Sequence, residues 1–295
     1  MNESSSHHVV NNEMQLCAIQ MCSSPNVEDN VAEIEKQLST LAQAQQQLVV
    51  LPECCLFFGG KDKEQLTLAK DDQASQYLKS RLAGLAQRFN VFLVAGSIPV
   101  LSVDPQSEKA DKFTNSCFVF SPEGIELERY DKLHLFDVSV ADNEKNYQES
   151  HYAQAGERIS VVDIAGVKLG LSICYDLRFP ELFRQLAQQG AKIITVPSAF
   201  TRVTGVAHWQ TLLQARAIEN QVYIVAAGQE GVHVNGRETW GHSLIINPWG
   251  EILAQQKTGS GIISANYNEQ ELLKVRNAMP VATHNRFNNK LKSYE

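Results

Sequence analysis

Three side chains with the means to do chemistry, a thiol, a carboxylate and an ammonium group, each fall beside an apolar run. Cys174 follows Val167, Leu169, Leu171 and Ile173, an alternation that predicts a buried strand. Asp176, Arg178 and Pro180 break that pattern, and Pro180 with Glu181 suits the first turn of a helix. A thiol at such a join is rigidly held and can lie near backbone N–H groups, a favourable setting for a nucleophile. The alternative is a buried cysteine that serves as a small hydrophobe. Glu53 comes directly after the run 48–52, where a carboxylate is either a solvated loop residue or a positioned base. Lys132 follows the amphipathic run 125–130 and precedes further apolar residues. It is either a surface lysine whose stem crosses apolar neighbours or a cation set beside a reaction centre.

Together the three would make a hydrolytic set. The thiol needs a base to take its proton, which Glu53 can supply. The tetrahedral intermediate carries an oxyanion, which Lys132 can stabilise. The same carboxyl can then protonate a departing amine and activate water for the second half-reaction. Whether the three meet is decided by the fold.

The stretches Leu51-Pro52-Glu53, Tyr130-Asp131-Lys132-Leu133-His134-Leu135-Phe136-Asp137 and Ile173-Cys174-Tyr175-Asp176-Leu177-Arg178-Phe179-Pro180-Glu181 carry a resemblance. In this order and at this spacing they resemble the nitrilase (carbon–nitrogen hydrolase) superfamily, over about residues 14–287. The resemblance implies a Glu53–Lys132–Cys174 triad in a four-layer α-β-β-α sandwich. It also implies that Glu149, by itself an ordinary exposed loop carboxylate, is the family's second active-site glutamate. Within the superfamily the chain is most similar to the Nit branch, and there to the deaminated glutathione amidases. Phe57-Phe58-Gly59-Gly60, Pro197-Ser198-Ala199-Phe200, Gln214-Ala215-Arg216-Ala217-Ile218-Glu219-Asn220-Gln221, Trp240-Gly241-His242-Ser243 and Asn247-Pro248-Trp249-Gly250 support that similarity. The activity implied is hydrolysis of a short keto-dicarboxylate amide through a thioester. Deaminated glutathione would give 2-oxoglutarate and cysteinylglycine. An ω-amidase acting on 2-oxoglutaramate, a carbamoylase and a nitrilase are alternatives, as is a catalytically silent binding or assembly protein.

Such a substrate asks for a carboxylate-binding group. Arg178, four residues after Cys174, can form a bidentate pair with a carboxylate, or a structural ion pair with Asp176 or Glu181. By resemblance Phe200 and Thr204 line the same acyl pocket, although Phe200 would equally suit the core. The resemblance gives the base role to glutamate, so His208 is read as structural, and His134 as packing near the site. Cys54 and Cys55 are read as packing residues, with a position that could also shape a wall of the acyl pocket.

The elements that must position these groups alternate between types. Apolar runs predict strands over residues 15–20, 47–51, 91–98, 115–120, 125–130, 192–197, 222–227, 243–247, 252–256 and 261–266. Helical spacing predicts helices over 27–44, 72–89, 181–189, 208–220 and 269–278. This order favours a layered α/β domain. Residues 14–295 are read as one domain, preceded by a frayed polar leader over 1–13 that is not a signal peptide. The 295 residues are 43% hydrophobic and 20% charged, ordinary for a globular protein. A net charge of −7 with no Lys/Arg-rich run argues against a nucleic-acid binder. No segment approaches the ~20 apolar residues needed to span a bilayer. Six cysteines without CxxC or zinc spacing fit a reduced, cytoplasmic chain with neither metal nor cofactor. Assembly into a homodimer or larger homo-oligomer is expected by resemblance.

Overall fold

The computed structural model describes residues 14–42, 46–102, 112–141 and 146–287. The leader expected over residues 1–13 lies outside them.

Strands Met14–Gln20, Gln46–Val50 and Phe92–Val94 run parallel and side by side in a first sheet. Their apolar runs are continuous because both faces are covered. Leu16, Ala18, Leu48 and Val50 face a core shared with a second sheet. Cys17, Ile19, Val49 and Leu51 face the helices Val27–Leu38 and Asp72–Phe89, which contribute Val31, Ile34, Leu78 and Leu82. Strand Lys112–Phe120 lies antiparallel to Phe92–Val94 and also pairs with Ile98–Ser102, Glu126–Asp131 and Ala153–Gln154. Gly261–Asn266 borders Met14–Gln20 on the other side.

The second sheet runs in the order Val161–Ile164, Val167–Leu171, Ile193–Thr195, Tyr223–Ala226, Ser243–Ile246, Ile252–Gln256, with parallel pairing at its centre. Within Val167–Leu171 the two faces are easily told apart. Leu169 and Leu171 belong to the shared core. Gly170 points the other way, and a Cβ there would stand 3.2 Å from Leu186 of the helix Pro180–Gln188. That helix and Gln210–Asn220 cover the outer face with Leu182, Phe183, Leu213 and Ala217. The layers are helix, sheet, sheet, helix, the α-β-β-α arrangement expected.

Several expected elements are cut short for local reasons. The helix predicted over 27–44 begins at an Asn26 cap but ends at Leu38. There the Ser39 hydroxyl and N–H both turn back to the Glu35 carbonyl, at 2.7 and 2.9 Å. The strand predicted over 91–98 divides into Phe92–Val94 and Ile98–Ser102. Between them Gly96 adopts φ +51°, and a Cβ there would lie 1.9 Å from the Pro52 carbonyl oxygen. The helix predicted over 208–220 opens as a π-helical turn, Gly205–Trp209, before Gln210–Asn220. Two short hairpins, Asp137–Ser139 with Asn146–Gln148 and Glu230–Val232 with Glu238–Trp240, were not expected. Residues from both border the site.

Candidate active site

The strand Val167–Leu171 gives way to a 3₁₀ turn, Cys174–Arg178, and only then to the helix at Pro180. Cys174 sits at the start of that turn with φ +50°, a conformation that costs a non-glycine residue roughly 1–3 kcal/mol. Its N–H donates to the Pro197 carbonyl at 2.8 Å. The turn is held from beneath by the fully buried Asp176. Its carboxylate accepts from Ile173 N–H (2.8 Å), Tyr130 Oη (2.7 Å) and His134 N–H (3.1 Å), and meets His134 Nδ1 at 2.7 Å. One carboxylate therefore ties the cysteine turn to the segment that carries Lys132.

Glu53 emerges from the first sheet just beyond Gln46–Val50 and is 5% exposed. Its Oε1 accepts from Lys132 Nζ at 2.8 Å and Asn115 Nδ2 at 3.0 Å. Its Oε2 accepts from Ala199 N–H at 3.0 Å, across from the second sheet. The Cys174 thiol, 7% exposed, lines the same cavity as this carboxylate and lies within reach of its charge. Lys132, 2% exposed, follows Glu126–Asp131. Its backbone is clamped by Asn115 and Gly156, with N–H donating at 3.0 Å and C=O accepting at 2.8 Å. Glu149, at the head of a short 3₁₀ turn, accepts from Lys132 Nζ at 2.8 Å through Oε2 and from Phe136 N–H at 2.7 Å. The ordinary loop carboxylate of the sequence is thus half of a second ion pair with Lys132.

The charges follow from these contacts. Burial opposes the Glu53 charge, but the charge and hydrogen bond of Lys132 overcome it and hold the carboxyl below its usual range. Burial also opposes the Lys132 charge, and Glu149 with Glu53 reverses this, holding the ammonium well above its usual range. Burial and the Glu53 charge push the Cys174 thiol well up, against the pull of Lys132. The resting set is a protonated thiol, an ionised carboxylate and a charged ammonium at the wall of one cavity.

These groups open into a cavity of about 120 Å³, lined by all four of them and by Arg178, Phe200 and Thr204 among others. Arg178 Nη1 lies 3.2 Å from His208 Nδ1, and its guanidinium stands over the Tyr175 and Phe200 rings at 5.8 and 5.3 Å. Asp176 serves the turn rather than pairing with Arg178. Phe200 both lines the cavity and packs on Trp209 at 4.8 Å. Cys54 lines the cavity, whereas Cys55 is buried with its thiol donating to the Ala95 carbonyl. His134 packs flat on Phe179 at 3.6 Å. Among the described residues no group of three or more His, Cys, Asp or Glu is arranged to hold a metal ion.

Sequence reading missed Asn115 and Arg237. Asn115 donates to both glutamates, at 3.0 and 3.4 Å, and its place between Thr114 and Ser116 gave no local signal of that role. Arg237 also lines the cavity, and nothing in Asn235-Gly236-Arg237 marks it as inward-facing.

Comparison with known proteins gives a consistent result. The family Carbon-nitrogen hydrolase matches residues 15–277. The deaminated glutathione amidase of Yersinia enterocolitica is 41% identical over 269 residues, covering 91% of this chain and 92% of that protein. Omega-amidase NIT2 of Homo sapiens is 34% identical over 268 residues, covering 90% and 93%. The crystal structure of Saccharomyces cerevisiae Nit3, a member of branch 10 of the nitrilase superfamily, superposes with a TM-score of 0.79 at 30% identity, covering 93% of this chain and 97% of that one.

Proposed function

The chain belongs to the carbon–nitrogen hydrolase family and is an amidase of its Nit branch, and on that premise we propose that it hydrolyses the amide of a short keto-dicarboxylate through a Cys174 thioester, with deaminated glutathione as its substrate. Glu53 takes the proton of the Cys174 thiol as sulfur attacks the amide carbonyl carbon. Lys132 stabilises the resulting oxyanion. The C–N bond breaks as Glu53 returns its proton to the leaving nitrogen. Water then gives a proton to Glu53 and adds to the thioester, and collapse breaks the C–S bond and reprotonates sulfur. Glu149 fixes the Lys132 ammonium. The products are 2-oxoglutarate and cysteinylglycine.

The observation that carries this reading is the buried ion pair of Glu53 with Lys132 at the wall of the cavity that Cys174 also lines. Arg178, Phe200 and Thr204 hold the keto-acid end, a role supported by their lining the same cavity. Cys174→Ala abolishes turnover of deaminated glutathione, whereas retained turnover would overturn the thioester. The omega-amidase relative motivates a second reading in which 2-oxoglutaramate is the better substrate. Steady-state assays of both amides, one followed by cysteinylglycine and the other by ammonia, decide between them.

The family likeness also motivates a homodimer or larger assembly, which light scattering on the purified chain would test. Six free cysteines suit a reducing cytoplasm. Among the described residues no helix is long and apolar enough to cross a membrane.

A further inference from the structure

The cavity is lined by two guanidinium groups, and the acyl part of the substrate accounts for only one. The second, Arg237, directly precedes the strand Glu238–Trp240 at the tip of its hairpin with Glu230–Val232. Its guanidinium carbon lies 5.0 Å from the Phe58 ring centre and 4.8 Å from that of Tyr147. The tip that bears it is firmly seated. His233 N–H donates to the Arg237 carbonyl at 2.9 Å, and Arg237 N–H to Asn235 Oδ1 at 3.1 Å. Asn235 Nδ2 in turn donates to the Gly60 carbonyl at 3.1 Å. The buried His233 ring meets Phe58 edge-on at 4.4 Å and is held by Ser23 and Thr239. Arg237 is therefore anchored to the loop that follows Glu53.

From Arg237 a row of rings runs along the cavity wall. Tyr147 is followed by Phe136 at 5.0 Å and Tyr175 at 5.2 Å, and Arg178 stands over Tyr175. The two guanidiniums thus end a three-ring wall. Arg178 belongs to the turn of the nucleophile, which keeps the acyl group. Arg237 is seated against the loop that follows Glu53, the group that hands a proton to the departing nitrogen. We propose that Arg237 binds a carboxylate on the leaving amine, so that the enzyme selects amides with an anionic group on each side of the scissile bond. A fork of N–H donors suits a carboxylate, and the Phe58 and Tyr147 rings hold the guanidinium by cation–π contact. Ammonia as leaving group brings nothing to this position. The inference deepens the amidase reading above and rests on it.

The test measures kcat/KM for deaminated glutathione, its C-terminal carboxamide and 2-oxoglutaramate, with the wild-type chain, Arg237→Gln and Arg237→Lys. The wild-type chain prefers the free carboxylate over the carboxamide by about ten- to a hundred-fold, as expected for a charged hydrogen-bonded pair. In Arg237→Gln that preference disappears through KM, and the ratio of deaminated glutathione to 2-oxoglutaramate falls by the same factor. Arg237→Lys, which keeps the charge and loses the fork, falls between. If Arg237→Gln keeps the preference, or loses the same factor on all three amides, Arg237 does not read the leaving group. A wild-type chain inactive on all three amides overturns the keto-dicarboxylate reading, and the inference with it.

Discussion

Cys174, Glu53 and Lys132 are each displaced from ordinary titration behaviour, and the directions are mutually consistent. The thiol is pushed up by burial and by Glu53, so it rests protonated. Glu53 is held down by Lys132 against its own burial, so it rests ionised and able to receive the proton of the thiol that lines the same cavity. Lys132 is held up by the two glutamates. Activity then requires Glu53 ionised, which fails only below the usual carboxylate range, and Lys132 charged, which fails only above the usual lysine range. For the wild-type enzyme kcat/KM is accordingly flat from about pH 6 to about pH 9, through the ordinary cysteine pKa near 8.5. A rise centred near pH 8.5 would mean that a free thiolate attacks without Glu53. Glu53→Gln removes the proton acceptor and lowers kcat by about 10²–10⁴-fold, read by single-turnover acylation. An unchanged acylation rate would show that the base lies elsewhere.

The 3₁₀ turn Cys174–Arg178 and the segment after Glu126–Asp131 are positioned by one another. Asp176 makes the connection, and each of its oxygens accepts a backbone N–H, from His134 and from Ile173. An amide in its place must turn an NH₂ toward one of those N–H donors, whereas the Tyr130 hydroxyl can reverse its role. Asp176→Asn therefore costs about 1–3 kcal/mol of stability, measured by urea unfolding. It lowers kcat more than it raises KM, because Lys132 and Cys174 lose their common support. Wild-type stability with wild-type kcat would show that the link is dispensable. This pairing was only half legible in the sequence. The apolar alternation ending at Ile173 gave the strand, and Pro180 gave the helix start, but the intervening turn has no periodic signature. Long amphipathic segments such as Asp72–Phe89 and Glu269–Ala278 were readable because one face is buried. The strand expected over 91–98 was misread at Gly96, whose φ +51° serves the close approach of the Pro52 carbonyl. Glu149, Asn115 and Arg237 were beyond local reading for a related reason. Each owes its inward position to partners far along the chain, and only family resemblance singled out Glu149.

At the scale of the molecule the site is a seam between two sheets. Glu53 leaves the first sheet, yet its Oε2 accepts from Ala199 N–H, just past the second-sheet strand Ile193–Thr195, and its carbonyl accepts from Gln229 Nε2 at 2.9 Å. Lys132 follows a first-sheet strand and Cys174 a second-sheet strand. The four groups are in register only while the shared core holds the sheets face to face. Leu169 lies in that core, fully buried, two residues before the end of the strand that leads to Cys174. Leu169→Ala leaves a cavity among side chains from both sheets and costs about 2–5 kcal/mol. The seam adds a stronger expectation than loss of stability alone. If the two sheets and the site form one cooperative unit, activity and near-UV circular dichroism vanish at the same urea concentration in both proteins. The variant's curve shifts to lower urea as a whole, and its kcat in the absence of urea stays within about two-fold of wild type. Activity lost at a lower urea concentration than the near-UV signal would mean that the seam opens before the sheets unfold. The contacts of Glu53 with Ala199 and Gln229 would then be the weak point of the molecule.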